Sequence, residues 1–346
     1  MADVGAPATR SVAMHNSITV DLLALDRLND ARTGGDVEGT ITSLGSLAPI
    51  QFGIADELAQ LGNAVKLMPE KLGRFGGWFR GIGSFLSASG QGAAPGYDAR
   101  SGGFLAGVDR RLGERLRLGA AAGYGHSDLT QKDGGSGTVE TPRVIVYGGY
   151  QSGRLALDAA MGIAYDRIHA VRQVPTVWAS AAQSHNGFEQ TAAAQANYTL
   201  PMRGLTLAPL VGLHFAHLSE NRFAEAGAGG FNLASAGNET DTLQAAIGAN
   251  ASTSFVTGND LRLRPTAKLM LARELLDISR ASAMRTANGG PTDVQVATPA
   301  ITTLTLGSGL AAQMPGQLAL YADYQVQLGL GKSVEHNLFV GTRWLF

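Results

Sequence analysis

From Phe75 to the last residue, apolar side chains recur at every second position, segment after segment. No other feature restricts the fold as much, because a period of two belongs to β-strands with two unlike faces. The stretch 154–167 shows it most clearly. Leu155, Leu157, Ala159, Met161, Ile163 and Tyr165 fall on one face, and Arg154, Ala156, Asp158, Ala160, Gly162, Ala164 and Asp166 on the other. A soluble sandwich would turn the leucines into a core. A membrane barrel turns them toward lipid and gives the small and charged residues to the lumen. Period alone does not separate the two, but length does. The alternating segments run about 12 to 18 residues, against about 5–6 for a globular strand, and long tilted strands suit a bilayer.

Composition points the same way. Charged residues make up 16 % of the chain, below the roughly 25 % of soluble domains. The 46 glycines are spread through the alternating segments rather than gathered in linkers, as suits a curved and crowded barrel wall. A net charge of -1 offers no electrostatic case for nucleic acid. With no cysteine, thiol catalysis, cysteine metal sites and disulfides are excluded. No apolar run approaches the 18 or so residues of a membrane helix. The opening MADVGAPATR lacks the basic region and apolar core of a signal peptide, so the chain is expected to be a mature fragment whose native N-terminus lies upstream.

The final segment, 333–346, alternates Leu338, Val340, Thr342, Trp344 and Phe346 against Asn337, Phe339, Gly341, Arg343 and Leu345. It stops on an aromatic in mid-strand. In a closed barrel such a strand pairs with the first and leaves no free edge, which gives Trp344 and Phe346 a role in barrel closure and assembly. Counted along the chain, the segments give about twelve strands, an even number as bacterial barrels require. Short turns are expected at Gly113, Ser152-Gly153, Arg203-Gly204, 257–260 and Pro315-Gly316. Longer loops are expected at 88–100, 131–138, 168–186, 221–240, 279–299 and near 331. Alternating short and long connections are the membrane-barrel asymmetry.

Residues 1–74 read differently. Over 14–32, Ile18, Leu22, Leu25 and Leu28 recur at helical spacing, with Asn16 as a candidate cap and Gly34-Gly35 as the stop. A second helix is expected over 53–68. Its apolar residues are Ile54, Leu58, Leu61, Val65 and Met68; Asp56 and Glu57 lie in its first turn and Lys66 in its last, as the helix dipole favours, and Pro69 ends it.

Catalytic and ligand motifs are weak. Gly331-Lys332-Ser333 resembles the end of a phosphate loop, but Val326 stands where the required glycine should be, so it reads as a turn. His214 and His217 are three apart, which on a strand puts them on opposite faces. His126, His185 and His336 are expected in loops or at the rim. No nucleophile elbow appears, and neither metal nor cofactor is expected. The charges predicted to line the lumen are Asp109, Arg111, Arg115, Arg117, Asp158, Asp166, Arg262, Arg264, Lys268, Asp323 and Arg343. Most would simply form a satisfied polar interior; about one in three would touch a lumenal helix.

Several stretches, in order, resemble the C-terminal translocator barrels of autotransporters (type Va secretion). They are Trp78-x-Arg80, GGFLAGVDRRLGERLRLGAAAGYGHS at 102–127, VYGGYQSGRLALDAAMG at 146–162, LAPLVGLHF at 207–215, FAEAGA at 223–228, LQAAIGA at 243–249 and the terminal Phe346. The resemblance implies a twelve-stranded antiparallel up-and-down barrel with an N-terminal helix threaded through its lumen. It also implies an exported passenger covalently linked upstream. The expected division is 1–52 as passenger end or linker with a possible short helix, 53–74 as lumenal helix and linker, and 75–346 as the barrel.

The implied function is non-enzymatic export to the surface of a Gram-negative bacterium, driven by extracellular folding and the barrel assembly machinery. The implied partners are the outer-membrane bilayer, that machinery and the passenger, with the barrel monomeric. Residues 1–74 are too few for the long β-helical passenger usual in the family. Some family members cut themselves at paired asparagines in the helix; here only Asn63 lies in the expected helix, which makes self-cleavage there a minor alternative. Two further functions suit a barrel of this kind: diffusion, as in a porin, or adhesin or enzyme activity carried by its loops. In the latter case loops 168–186 and 279–299 would hold clustered acids and histidines, but they are rich in Ala, Ser, Thr and Gly.

Overall fold

The computed structural model describes residues 6–33, 75–91, 94–257, 261–276, 281–286, 290–295, 300–314 and 318–345. Within them, twelve long strands follow one another around a closed antiparallel barrel. These are β1 Phe75–Ala88, β2 Tyr97–Leu112, β3 Leu116–Gln131, β4 Ser136–Ser152, β5 Leu155–Val174, β6 Ala179–Tyr198, β7 Leu205–Glu220, β8 Asn238–Ser252, β9 Arg262–Glu274, β10 Thr302–Gln313, β11 Leu318–Gly329 and β12 Ser333–Leu345. Each pairs with its chain neighbours, and β12 pairs with β1 from Gly76–Leu345 to Ala88–Ser333. That seam leaves the barrel no free edge.

The alternation is resolved in favour of the outward leucines. Leu157 is 47 % exposed, Met161 65 % and Leu213 53 %, while their neighbours Asp158, Ala160 and His214 are buried. No helix is long and apolar enough to cross a membrane among the described residues. An apolar exterior around a polar interior is the arrangement a bilayer stabilises.

The expected loop 168–186 is mostly strand. β5 runs to Val174, a short turn spans Pro175–Val177, Trp178 sits at φ 52°, and β6 begins at Ala179. The cause is packing from a second connection. Phe223–Ala224 and Leu233–Ser235 from the β7–β8 loop join Ala281–Thr286 and Pro291–Gln295 from the β9–β10 loop in a small four-stranded sheet. This sheet braces the β5–β6 hairpin. Arg172 pairs with Glu225 at 2.6 Å and donates to the Phe231 carbonyl, and Ala182 bridges to Ala226. With its inner face covered, the hairpin keeps strand pairing out to Val174 and Ala179. His185, expected in a loop, therefore lies on a strand and is buried against Phe223 and Glu220. The expected loop 131–138 likewise shrinks to a turn, and Gly331, at φ 76°, occupies one too. The expected helix over 53–68, with Asn63, and Phe346 lie outside the described residues.

Candidate functional site

One helix, α1 (Ala6–Thr33), lies inside the barrel. It begins eight residues before the start expected from the sequence. Asn16 is therefore interior to it and donates to Ser127 Oγ at 2.9 Å instead of capping. Pro7 falls in the first turn, where a missing N–H costs nothing, and Arg32 in the last turn complements the dipole. Its 28 residues span about 42 Å at 1.5 Å per residue.

The direction of α1 follows from its neighbours. Ala8 and Val12 pack against Ala88, Ala94, Tyr97, Ala99 and Leu129, at the end carrying the long connections. Leu25 and Leu28 pack against Trp78, Leu105, Ile145 and Tyr147, toward the end of the short turns. The N-terminus of α1 therefore faces the long-loop end.

Polar and apolar residues of α1 are buried alike: Thr9, Ser17, Asp21 and Arg27 as fully as Val12, Leu25 and Leu28. The polar ones meet a polar wall. Arg10 pairs with Glu220, His15 with Glu335, and Ser17 donates to Glu189, which also faces Arg143. Asp21 meets His214 at 3.0 Å. Lower down, Asp26 pairs with Lys268 at 2.7 Å and Arg27 with Asp109 at 2.7 Å. Asp30 receives Arg264 at 2.9 Å and Arg80 at 3.2 Å. Arg32 makes a two-pronged contact with Asp158, whose carboxylate also accepts from Gln195 and Asn197. Buried ion pairs add little net stability, because desolvation offsets their attraction, but breaking one is costly. Their effect here is to fix the rotation and height of α1.

One aromatic joint supports this set. Trp78 Nε1 donates to Tyr147 Oη at 2.6 Å, and Tyr147 in turn faces Asp109 at 3.3 Å. Both rings lie over glycines. A Cβ at Gly107 would come within 2.7 Å of the Trp78 ring, and one at Gly119 would overlap the Tyr147 ring.

The predicted lumen charges divide into groups. Asp109, Asp158, Arg264 and Lys268 contact α1 side chains, and Arg343 donates to the Asp30 carbonyl at 3.3 Å. Arg117 is linked to the helix through Asp109, and Asp323 through Arg80, 3.8 Å away. Asp166 is buried in the wall, where Thr141 donates to it at 2.6 Å. Arg111 and Arg115 do not line the lumen. They are exposed around the Gly113-Glu114 turn, where Arg111 donates to the Glu114 carbonyl, because the inward alternation ends where the strand does. Arg262 is also exposed, beside a small cavity that Arg27 and Asp30 line at the short-turn end. Trp344 lies over Gly77 at the β1–β12 seam.

Sequence reasoning missed Arg80, Glu189, Glu220 and Glu335, although Arg80 and Glu335 occupy inward positions of β1 and β12. It also missed the charges of α1 itself. No motif marks these residues; only the strand period, carried to every segment, would have found the wall members.

The sequence matches the family described as autotransporter beta-domain over residues 77–325. No curated protein matches it. Among solved structures, the fold is similar to the translocator domain of autotransporter NalP from Neisseria meningitidis. The TM-score is 0.65 at 17% identity, covering 84% of this chain and 95% of that one. It is similar also to the beta domain of the Bordetella autotransporter BrkA, with a TM-score of 0.63 at 17% identity, covering 79% of this chain and 99% of that one. A closed twelve-stranded barrel, an N-terminal helix in its lumen and a family match over most of the chain lead to one conclusion: this chain belongs to the autotransporter beta-domain family and is an outer-membrane translocator domain.

Proposed function

We propose that the barrel serves the export of a passenger linked upstream of α1, and that α1 is the end of that polypeptide, retained as a plug. The polarity of the helix carries this reading. The N-terminal end of α1 lies where the long connections lie, which in outer-membrane barrels is the cell exterior. Its C-terminal end and the start of β1 at Phe75 both lie at the short-turn end. The wall charges Asp109, Asp158, Arg264 and Lys268 hold the helix, and the remaining lumen charges keep the interior wet. Insertion by the barrel assembly machinery and a monomeric state belong to the same proposal. Outward apolar residues on opposite sides of the barrel, such as Met161 on β5 and Leu320 on β11, suit a wall surrounded by lipid.

Deleting residues 6–33 and recording planar-bilayer conductance tests the plug. The deletion is expected to raise single-channel conductance at least about tenfold, since it empties a polar lumen. A diffusion porin would conduct nearly as well before the deletion as after it. Translocator β-domains are generally non-enzymatic, and none of the contacts assembled here calls for catalysis. Intact mass after refolding is expected to equal that of the whole chain; two fragments meeting at Asn63 would establish self-cleavage.

A further inference from the structure

The helix is off-centre. Its backbone lies against β2–β7, leaving the β8–β11 wall farther away. On that side the lumen has two zones. Toward the short-turn end is a cavity of about 60 Å³ whose lining includes Asp26, Asp30, Lys268, Ser308 and Gln325. Nearer the middle, an interstice of about 30 Å³ is lined mainly by carbon, Ile18, Leu22 and Met270 included, with Gln195, His214 and Gln244 also in its lining.

The sequence of β9 explains the two zones. Its inward residues, read from the short-turn end, are Arg264, Thr266, Lys268, Met270, Ala272 and Glu274. The facing side of α1, at spacings of three and four, reads Asp30, Asp26, Leu22, Ile18 and His15. Asp30 meets Arg264 and Asp26 meets Lys268. That register brings Leu22 and Ile18 level with Met270 and Ala272.

We propose that this apolar rung, rather than the ion pairs, is the barrier to ions in the plugged barrel. The inference rests on the plug reading above and assigns the seal to named residues. A polar cavity with charged and amide walls holds water, so an ion crosses it at little cost. An apolar constriction makes the ion shed its hydration, and such constrictions close pores by dewetting. Lys268 and Asp26 then position the helix, while Ile18, Leu22 and Met270 exclude water.

The test records planar-bilayer conductance for the whole chain, for Leu22→Ser with Ile18→Ser, for Met270→Ser alone, for Gln325→Ala, and for the deletion of 6–33. The two helix substitutions leave the barrel wall intact, so a folding failure of Met270→Ser would not decide the outcome. Either rung variant is expected to raise the closed-state conductance about tenfold, with Gln325→Ala, in the polar cavity, within twofold of the parent. Because the chain contains no cysteine, Thr266→Cys, on the inward face of β9 beside the polar cavity, supplies a second readout. An impermeant thiol reagent added at the long-loop end should label it only when Leu22 and Ile18 are serine. The proposal is overturned if the rung variants stay as closed as the parent while the deletion opens the pore, or if Gln325→Ala opens it equally. If the deletion also leaves conductance unchanged, the plug reading fails with it.

Discussion

Asp109 shows how one buried carboxylate can organise a wall. It serves Arg27 from the helix and Arg117 from β3, and lies beneath the Tyr147 hydroxyl. Removing it leaves two guanidinium groups facing each other in a buried space, so Asp109→Ala is expected to destabilise the folded barrel by about 3–5 kcal/mol. Arg27→Ala leaves Asp109 still paired with Arg117 and should cost clearly less. Urea titrations followed by the fluorescence of the buried Trp78 would rank the two; equal midpoints would show that Asp109 is not shared. Gly119→Val forces the Tyr147 ring aside and should cost about 1–3 kcal/mol in the same titration, as overpacking does. At this scale much was legible. Alternation alone placed Asp109, Asp158, Arg264 and Lys268 inward. It failed at Arg111 and Arg115, because Arg111 sits at the last inward position of β2 and Arg115 in the turn beyond it, past the end of the enclosed lumen.

At the scale of elements, the barrel strands were legible because each keeps one face apolar over its whole length. The hairpin of β5 and β6 was not, because its upper half owes its order to another loop: the Arg172–Glu225 pair is buried between them. Arg172→Ala would leave Glu225 buried with a neutral neighbour and remove the bond to the Phe231 carbonyl. Limited proteolysis is expected to cut 223–235 faster in that variant while the barrel resists as before; an unchanged cleavage rate would mean the pair does not brace the loop.

The helix shows a deeper limit. The stretch 53–68 reads as the better helix because its apolar residues form a stripe, the mark of an element with one wet side. α1 is surrounded by a wall that carries both polar and apolar patches, so its buried residues include Thr9, Ser17, Asp21 and Arg27 beside Val12, Leu25 and Leu28, and no stripe is needed. Amphipathic contrast is a poor guide where the surroundings are themselves mixed.

For the molecule as a whole, the family implies the bacterial outer membrane, and the outward leucines and closed seam are what that setting requires. The pieces then have one orientation. Short turns and the C-terminal end of α1 face one compartment; the long connections, the four-stranded sheet and the N-terminal end of α1 face the other. Export through such a barrel needs the upstream chain to end on the far side. The most direct measurement is antibody labelling of an epitope placed immediately before Ala6, in intact Gram-negative cells producing the whole barrel. The expected result is full labelling without permeabilisation, lost when residues 6–33 are deleted and the epitope is joined before Phe75. Labelling that appears only after the outer membrane is breached would place the N-terminus of α1 in the periplasm and contradict the direction on which the export reading depends.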